Sequence, residues 1–230
     1  MKPSLVIYTH TDVKDVWPIC FGQLKKYIKD YKVYVCLDVP NESIPNDYIQ
    51  IIYDDTNNYT ERWVEILSKI EDDLLLFLHE DMFLIDFPKF DLIEKYASYV
   101  NDKKVNTVKL IYAGDGGVTY EYDETLIQNG LARFSIQPTI FRKETLQKIV
   151  TDYPNQNIWQ LEGCITLDAL DYMVKLGGEP KRGMYHYDSF VFPFMSSAIT
   201  KGKWNMMEYA NELNPMFEEY NINPFERGII

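Results

Sequence analysis

The chain has 230 residues, 46% of them hydrophobic and 15% aromatic, with a formal net charge of −12. That length and apolar content exclude disorder and allow one sizeable core. The negative charge argues against nucleic acid or an anionic membrane as a partner, since both need a basic face.

Strands and helices alternate through the first half. Residues 4–9 read as strand one. Residues 16–28 read as a helix, with Val16, Ile19, Cys20, Leu24, Tyr27 and Ile28 on its apolar side. Residues 32–37 and 48–53 form the next two strands, ending at Asp38 and Asp54-Asp55. Thr60 is a candidate cap for a helix whose apolar face is Trp63, Ile66, Leu67 and Ile70. Arg62 on that helix is expected to pair with Glu61 or Glu65.

The run Leu74-Leu75-Leu76-Phe77-Leu78 reads as a strand buried on both faces, and it leads directly into His79-Glu80-Asp81. Carboxylates at the carboxyl end of a central strand lie where open α/β sheets bind ligands. They are costly to bury without a partner, and a divalent cation is a common one. A helix over 91–100 and a strand over 105–111 complete the alternation, which predicts right-handed crossovers and a largely parallel sheet.

The second half is less regular. The glycine-rich stretch 112–117 fits neither a dinucleotide nor a P-loop pattern and reads as a turn. A strand is predicted over 135–142 and a short helix over 143–150. A further helix runs from Glu162 through Leu167, Leu170, Met173 and Val174 to Gly177-Gly178. Residues 185–194 are aromatic-rich and read as extended. Cys20, Cys36 and Cys164 form no CxxC pair, which argues against structural zinc and points to a reducing compartment. With no leader-like or membrane-spanning run, a soluble cytoplasmic chain is expected, with peripheral membrane contact left open.

The order of elements resembles glycosyltransferases of the GT-A type. The sharpest pieces are Phe77-Leu78-His79-Glu80-Asp81-Met82-Phe83, the stretch from Ser135 to Lys143, Ile158-Trp159-Gln160-Leu161-Glu162, and Ala198-Ile199-Thr200-Lys201-Gly202-Lys203-Trp204. The triplet departs from the family's Asp-x-Asp, because His79 stands where the first Asp would be. The resemblance implies a single α/β domain over 1–230 with a Rossmann-like, mostly parallel sheet flanked by helices. Its first half, about 1–111, would bind the nucleotide sugar, and its second, about 112–230, the acceptor.

The resemblance also implies site roles. A nucleotide-diphosphate sugar would be the donor, a glycan or glycolipid the acceptor, and Mn²⁺ or Mg²⁺ the metal. Asp81 would hold the metal, with His186 a candidate second ligand, and Glu80 would contact the metal through water or the donor ribose. Thr9, His10 and Asp38 would meet the base and ribose, and Lys201 and Lys203 the phosphates. Glu162 would be the base of an inverting transfer, with Trp159 beside it to pack on a sugar face. Two other readings stay open. One is a metal-dependent phosphohydrolase or nucleotidyltransferase, drawing on Asp12, Asp38, Asp54, Asp55 and Asp81. The other is a non-catalytic nucleotide-sugar-binding module.

Overall fold

The computed structural model describes residues 1–112, 118–121, 123–128, 136–164, 173–176 and 191–230. Its frame is a nine-stranded sheet in the order β3-β2-β1-β4-β8-β5-β9-β7-β6. The strands are β1 (Ser4–Tyr8), β2 (Val33–Leu37), β3 (Ile49–Ile52), β4 (Leu74–His79), β5 (Thr107–Tyr112), β6 (Val118–Tyr120), β7 (Asp123–Gln128), β8 (Thr139–Arg142) and β9 (Met173–Leu176). A separate hairpin pairs β10 (Ile199–Thr200) with β11 (Lys203–Trp204). The first four strands are mutually parallel, and β8 runs antiparallel between β4 and β5.

Period-2 alternation explains why the central strands are apolar throughout. Leu5, Ile7, Val33, Val35, Leu74, Leu76 and Leu78 join one core cluster, which includes α1 (Trp17–Tyr27), α3 (Phe90–Asn101) and α6 (Met206–Glu219). Their neighbours Val6, Tyr8, Tyr34, Cys36, Leu75 and Phe77 join the other, with α2 (Tyr59–Lys69), α4 (Lys143–Asp152) and α5 (Ile158–Cys164). A slip of one residue in β4 would exchange the two sets, so its register is tightly specified.

Several elements differ from the sequence expectation. The chain after β1 first makes a 3₁₀ turn, Thr11–Val16, before α1 opens with Pro18 in its first turn. Asn58, not Thr60, caps α2: its side chain accepts from the Glu61 N–H at 3.1 Å while Glu61 accepts from the Asn58 N–H, a full capping box. The strand containing Pro138 shortens to β8, where the Pro138 carbonyl accepts from Leu110 N–H at 2.8 Å. Of the long helix expected from Glu162 to Val174, residues 165–172 lie outside the described residues, and its C-terminal end is not helical. Met173–Leu176 is strand β9, seated between β5 and β7, so sheet pairing overrides the helical spacing there. Strands β6 and β7 have no counterpart in the sequence expectation.

Candidate functional site

The sheet order reverses at β1, which has β2 on one side and β4 on the other. In register, Tyr8 lies beside His79. The segment Thr9-His10 therefore leaves the sheet next to Glu80-Asp81, at the topological switch point where such sheets bind ligands. A cleft of about 460 Å³ opens there, lined among others by Tyr8, His10, Tyr59, Arg62, His79, Glu80, Asn157 and Ile158.

The His79 ring packs among aromatic side chains. It stacks on Tyr8 at 5.2 Å, meets Phe77 edge-on, and its Nε2 lies 3.2 Å from the Tyr59 hydroxyl. Burial among these rings pulls its pKa down to about 3, so it is neutral. The two acids that follow keep a window to solvent but lie deep among protein atoms. Burial first, and the charge of Asp81 second, push Glu80 up to about 8, and burial raises Asp81 to about 6. The guanidinium of Arg227 opposes both shifts without cancelling them.

Among the described residues no group of three or more His, Cys, Asp or Glu side chains converges to hold a metal. Glu80 and Asp81 nevertheless fit a hard divalent cation of the Mg²⁺ kind. Such ions are commonly held by one or two carboxylates, with waters and substrate phosphates completing the shell. His186 lies outside the described residues.

The nucleotide-side residues are brought together, but most of their polar atoms are already engaged. Thr9 is buried, its hydroxyl accepting from Trp17 Nε1 at 2.7 Å and its carbonyl from the Tyr53 hydroxyl at 2.8 Å. Asp38 accepts from Thr11 N–H at 2.8 Å and from its hydroxyl at 2.5 Å, and these bonds help hold its pKa below the usual range despite partial burial. His10 Nδ1 accepts from Asp12 N–H, and its Nε2 lies 3.1 Å from Asp55.

Arg62 does not pair within its helix. It reaches Asp55 at 2.7 Å, the carbonyls of Asp55 and Asn57, and the Tyr8 hydroxyl at 3.2 Å. Glu61 is spent on the cap, and Glu65 accepts from Asp54 N–H and pairs with Lys69.

Lys201 and Lys203 flank the tip of the β10–β11 hairpin. Lys201 and Gly202 both take positive φ, 51° and 75°, as a two-residue hairpin turn of the primed type requires. Both lysines are exposed. The cation that sequence reading missed here is Arg227. It grips Asp15 through Nε at 2.7 Å and Nη2 at 2.5 Å, donates to the Gly202 carbonyl at 3.2 Å, and lies over Trp204. A second hollow, lined by Thr11, Asp12, Lys14, Asp15, Gly202, Glu226 and Arg227, lies along the same 3₁₀ turn that borders the cleft.

Glu162 is half-buried on α5, and its Oε1 accepts from Ile136 N–H at 2.6 Å. Its charge is felt at Tyr59, the partner of His79. Of the acids available to a phosphohydrolase, Asp54 caps Thr56, Asp55 pairs with Arg62 and Asp38 holds Thr11, each away from Asp81 in its bonding.

Comparison with solved structures decides the fold. A cytidylyltransferase from Leptospira borgpetersenii aligns over 98% of both chains, with a TM-score of 0.51 at 12% identity. The chain has a Rossmann-like α/β fold of the GT-A-like type. A CMP:2-keto-3-deoxy-manno-octonic acid synthetase complexed with CTP also aligns with this GT-A-like chain, over 77% of it and 91% of the other, with a TM-score of 0.51 at 15% identity. TarS of S. aureus aligns over 78% of the chain with a TM-score of 0.48 at 13% identity, and the chain spans only 36% of that protein's length. No protein-family model matches the sequence, and no curated protein does.

Proposed function

We propose that the chain is a glycosyltransferase that moves a sugar from a nucleotide-diphosphate donor to a hydroxyl acceptor with the help of a divalent cation. The observation that carries this reading is the Glu80–Asp81 pair at the switch point, two carboxylates side by side that lie deep among protein atoms with raised pKa values. A bound cation there would stabilise the departing diphosphate. Asp81 would hold it, Glu80 would assist directly or through water, and Lys201, Lys203 and Arg227 would neutralise phosphate charge from the hairpin side. The mostly engaged network of Thr9, His10, Asp38 and Arg62 would present a preorganised wall to the nucleotide.

Glu162 would serve as base if configuration inverts. Its carboxylate would accept the proton of the acceptor hydroxyl as that oxygen bonds to the anomeric carbon and the carbon–phosphate oxygen bond breaks. The hydrogen bond from Ile136 N–H to Oε1 fixes the orientation of that carboxylate.

Nucleotidyl transfer is the second reading, because the same acids and cation would serve it and two aligned structures are cytidylyltransferases. The segment after β1 disfavours it. A triphosphate in that position would want a basic, glycine-rich loop, whereas residues 9–15 contain Asp12 and Asp15 against Lys14 and no glycine.

Product analysis separates the readings. The chain is incubated with Mn²⁺ and either UDP-, GDP-, dTDP- and CDP-sugars or nucleoside triphosphates with sugar acids and sugar phosphates. Release of a nucleoside diphosphate from one donor class is expected. Pyrophosphate release from a triphosphate would replace the proposal with nucleotidyl transfer, and neither product would leave a binding module.

A further inference from the structure

Arg227 is a cation within reach of several acids. Its charge is felt at both Glu80 and Asp81. Among the described residues, however, its ion pair is with Asp15 and not with either member of that pair.

The grip of Asp15 is bidentate. Nε donates to Oδ2 at 2.7 Å and Nη2 to Oδ1 at 2.5 Å, the fork-to-carboxylate geometry that fixes a guanidinium in position and in plane. Two further contacts hold the same group. Nη1 donates to the Gly202 carbonyl at 3.2 Å, and the guanidinium carbon lies 5.9 Å from the centroid of the Trp204 ring, within cation–π range. Trp204 is fully buried and packs against Phe217 at 4.9 Å and Phe83 at 6.1 Å. Phe83 follows Asp81 by two residues, so the seat of Arg227 is packed against the segment that leaves the acid pair.

Of these three holds only Asp15 carries a charge. Asp15 is itself half-exposed, and its grip depends on the bidentate geometry at a guanidinium that is 12% exposed. Asp12 and Glu226 also line the hollow beside Arg227, but both are exposed, and solvated acids attract a cation less than acids deep among protein atoms. Without Asp15, the guanidinium would therefore turn to Glu80 and Asp81. An arginine seated on that pair would neutralise it internally and exclude a divalent cation.

We propose that Asp15 is a positioning residue for the metal site: by gripping Arg227 it keeps the guanidinium off Glu80 and Asp81 and leaves both carboxylates to the divalent cation. The parked guanidinium stays near the site, where a phosphate can recruit it. This rests on the cation-site reading and adds to it the residue that keeps the protein's own cation out.

The test is Mn²⁺ binding by the full chain near pH 8 without nucleotide, read from the loss of the free-ion electron paramagnetic resonance signal. Asp15→Asn should weaken wild-type binding about tenfold or more, and Asp15→Glu, which keeps the carboxylate, should retain most of it. The deciding variant combines Asp15→Asn with Arg227→Gln. It lacks the same grip but also lacks the guanidinium, so Mn²⁺ binding should return at least to the wild-type level. A purely structural Asp15 would show no such rescue. Melting temperatures of the metal-free variants are the folding control. Should Asp15→Asn not fold, Arg227→Gln alone carries the test, and it should bind Mn²⁺ no more weakly than wild type. Wild-type affinity in Asp15→Asn, a double variant as weak as Asp15→Asn, or weakened binding by Arg227→Gln overturns the proposal and leaves the cation site intact. No Mn²⁺ binding by wild type removes both.

Discussion

Two groups of charged residues meet at the mouth of the sheet, and they are built in opposite ways. On the β1–β2 side, His10, Asp38, Asp55 and Arg62 are each within reach of an internal partner, and Asp38 lies below its ordinary pKa. At the end of β4, Glu80 and Asp81 are raised to about 8 and about 6, and among the described residues Arg227 opposes both shifts. The first group is a closed circuit, whose polar atoms bond to one another and fix its shape. The second keeps its two acids raised, as the proposed cation site would require of carboxylates that a metal is to ionise.

Breaking this acid pair should have the largest effect. Asp81→Asn keeps the shape of the side chain and removes its charge. We expect loss of metal-dependent nucleotide binding and a fall in turnover of roughly a thousandfold, read by nucleoside diphosphate release. Retention of metal-dependent binding in that variant would remove Asp81 from the metal site. Next comes Glu162→Gln, expected to cut transfer about 10²–10⁴-fold while leaving the donor-induced rise in melting temperature in place. Unchanged transfer would point to a retaining route or to another base.

The acid pair also sets a pH dependence. Both acids have folded pKa values above their unfolded ones, so the native state holds their protons more tightly. Their ionisation therefore costs stability as pH rises through the window from about 4 to about 8. The stability of the metal-free chain should decline across it from this source. In the proposed site Mn²⁺ would bind the ionised pair, so the increase in melting temperature it gives should be small near pH 5 and largest near pH 8. A gain that is flat with pH would contradict the assignment. The smallest effect is expected on the closed side, at the cap that seats α2. Asn58→Ala should lower stability by about 1 kcal/mol in denaturant titration with little change in donor selectivity.

The same contrast shows what was legible in the sequence. The strand over Leu74–Leu78 and the acids at its end could be read directly, because an unbroken apolar run followed by charges is a local signal. The assignment of Thr9 and His10 to the same site comes from the resemblance to GT-A glycosyltransferases rather than from any local signal. Partners distant in sequence were not legible. Arg62 finds Asp55 rather than Glu61 or Glu65 because the capping box and Lys69 occupy those acids. Arg227 reaches Asp15 across 212 positions, and no periodicity signals that. The aromatic surroundings of His79, formed by Tyr8, Tyr59 and Phe77 from three separate elements, are equally invisible in the local sequence. Met173–Leu176 carries helical spacing and is a strand, because two neighbouring strands provide its hydrogen-bond partners.

The central claim is that Glu80 and Asp81 form a cation-dependent site for a nucleoside diphosphate. The most direct measurement is a thermal-shift panel of UDP, GDP, dTDP and CDP, with and without Mn²⁺, on wild type and Asp81→Asn. A ligand that binds only the folded state must raise the melting temperature. The expected result is a rise with one nucleotide that requires Mn²⁺ and disappears in Asp81→Asn. A nucleotide shift of equal size without metal, or one that survives in Asp81→Asn, would contradict the claim.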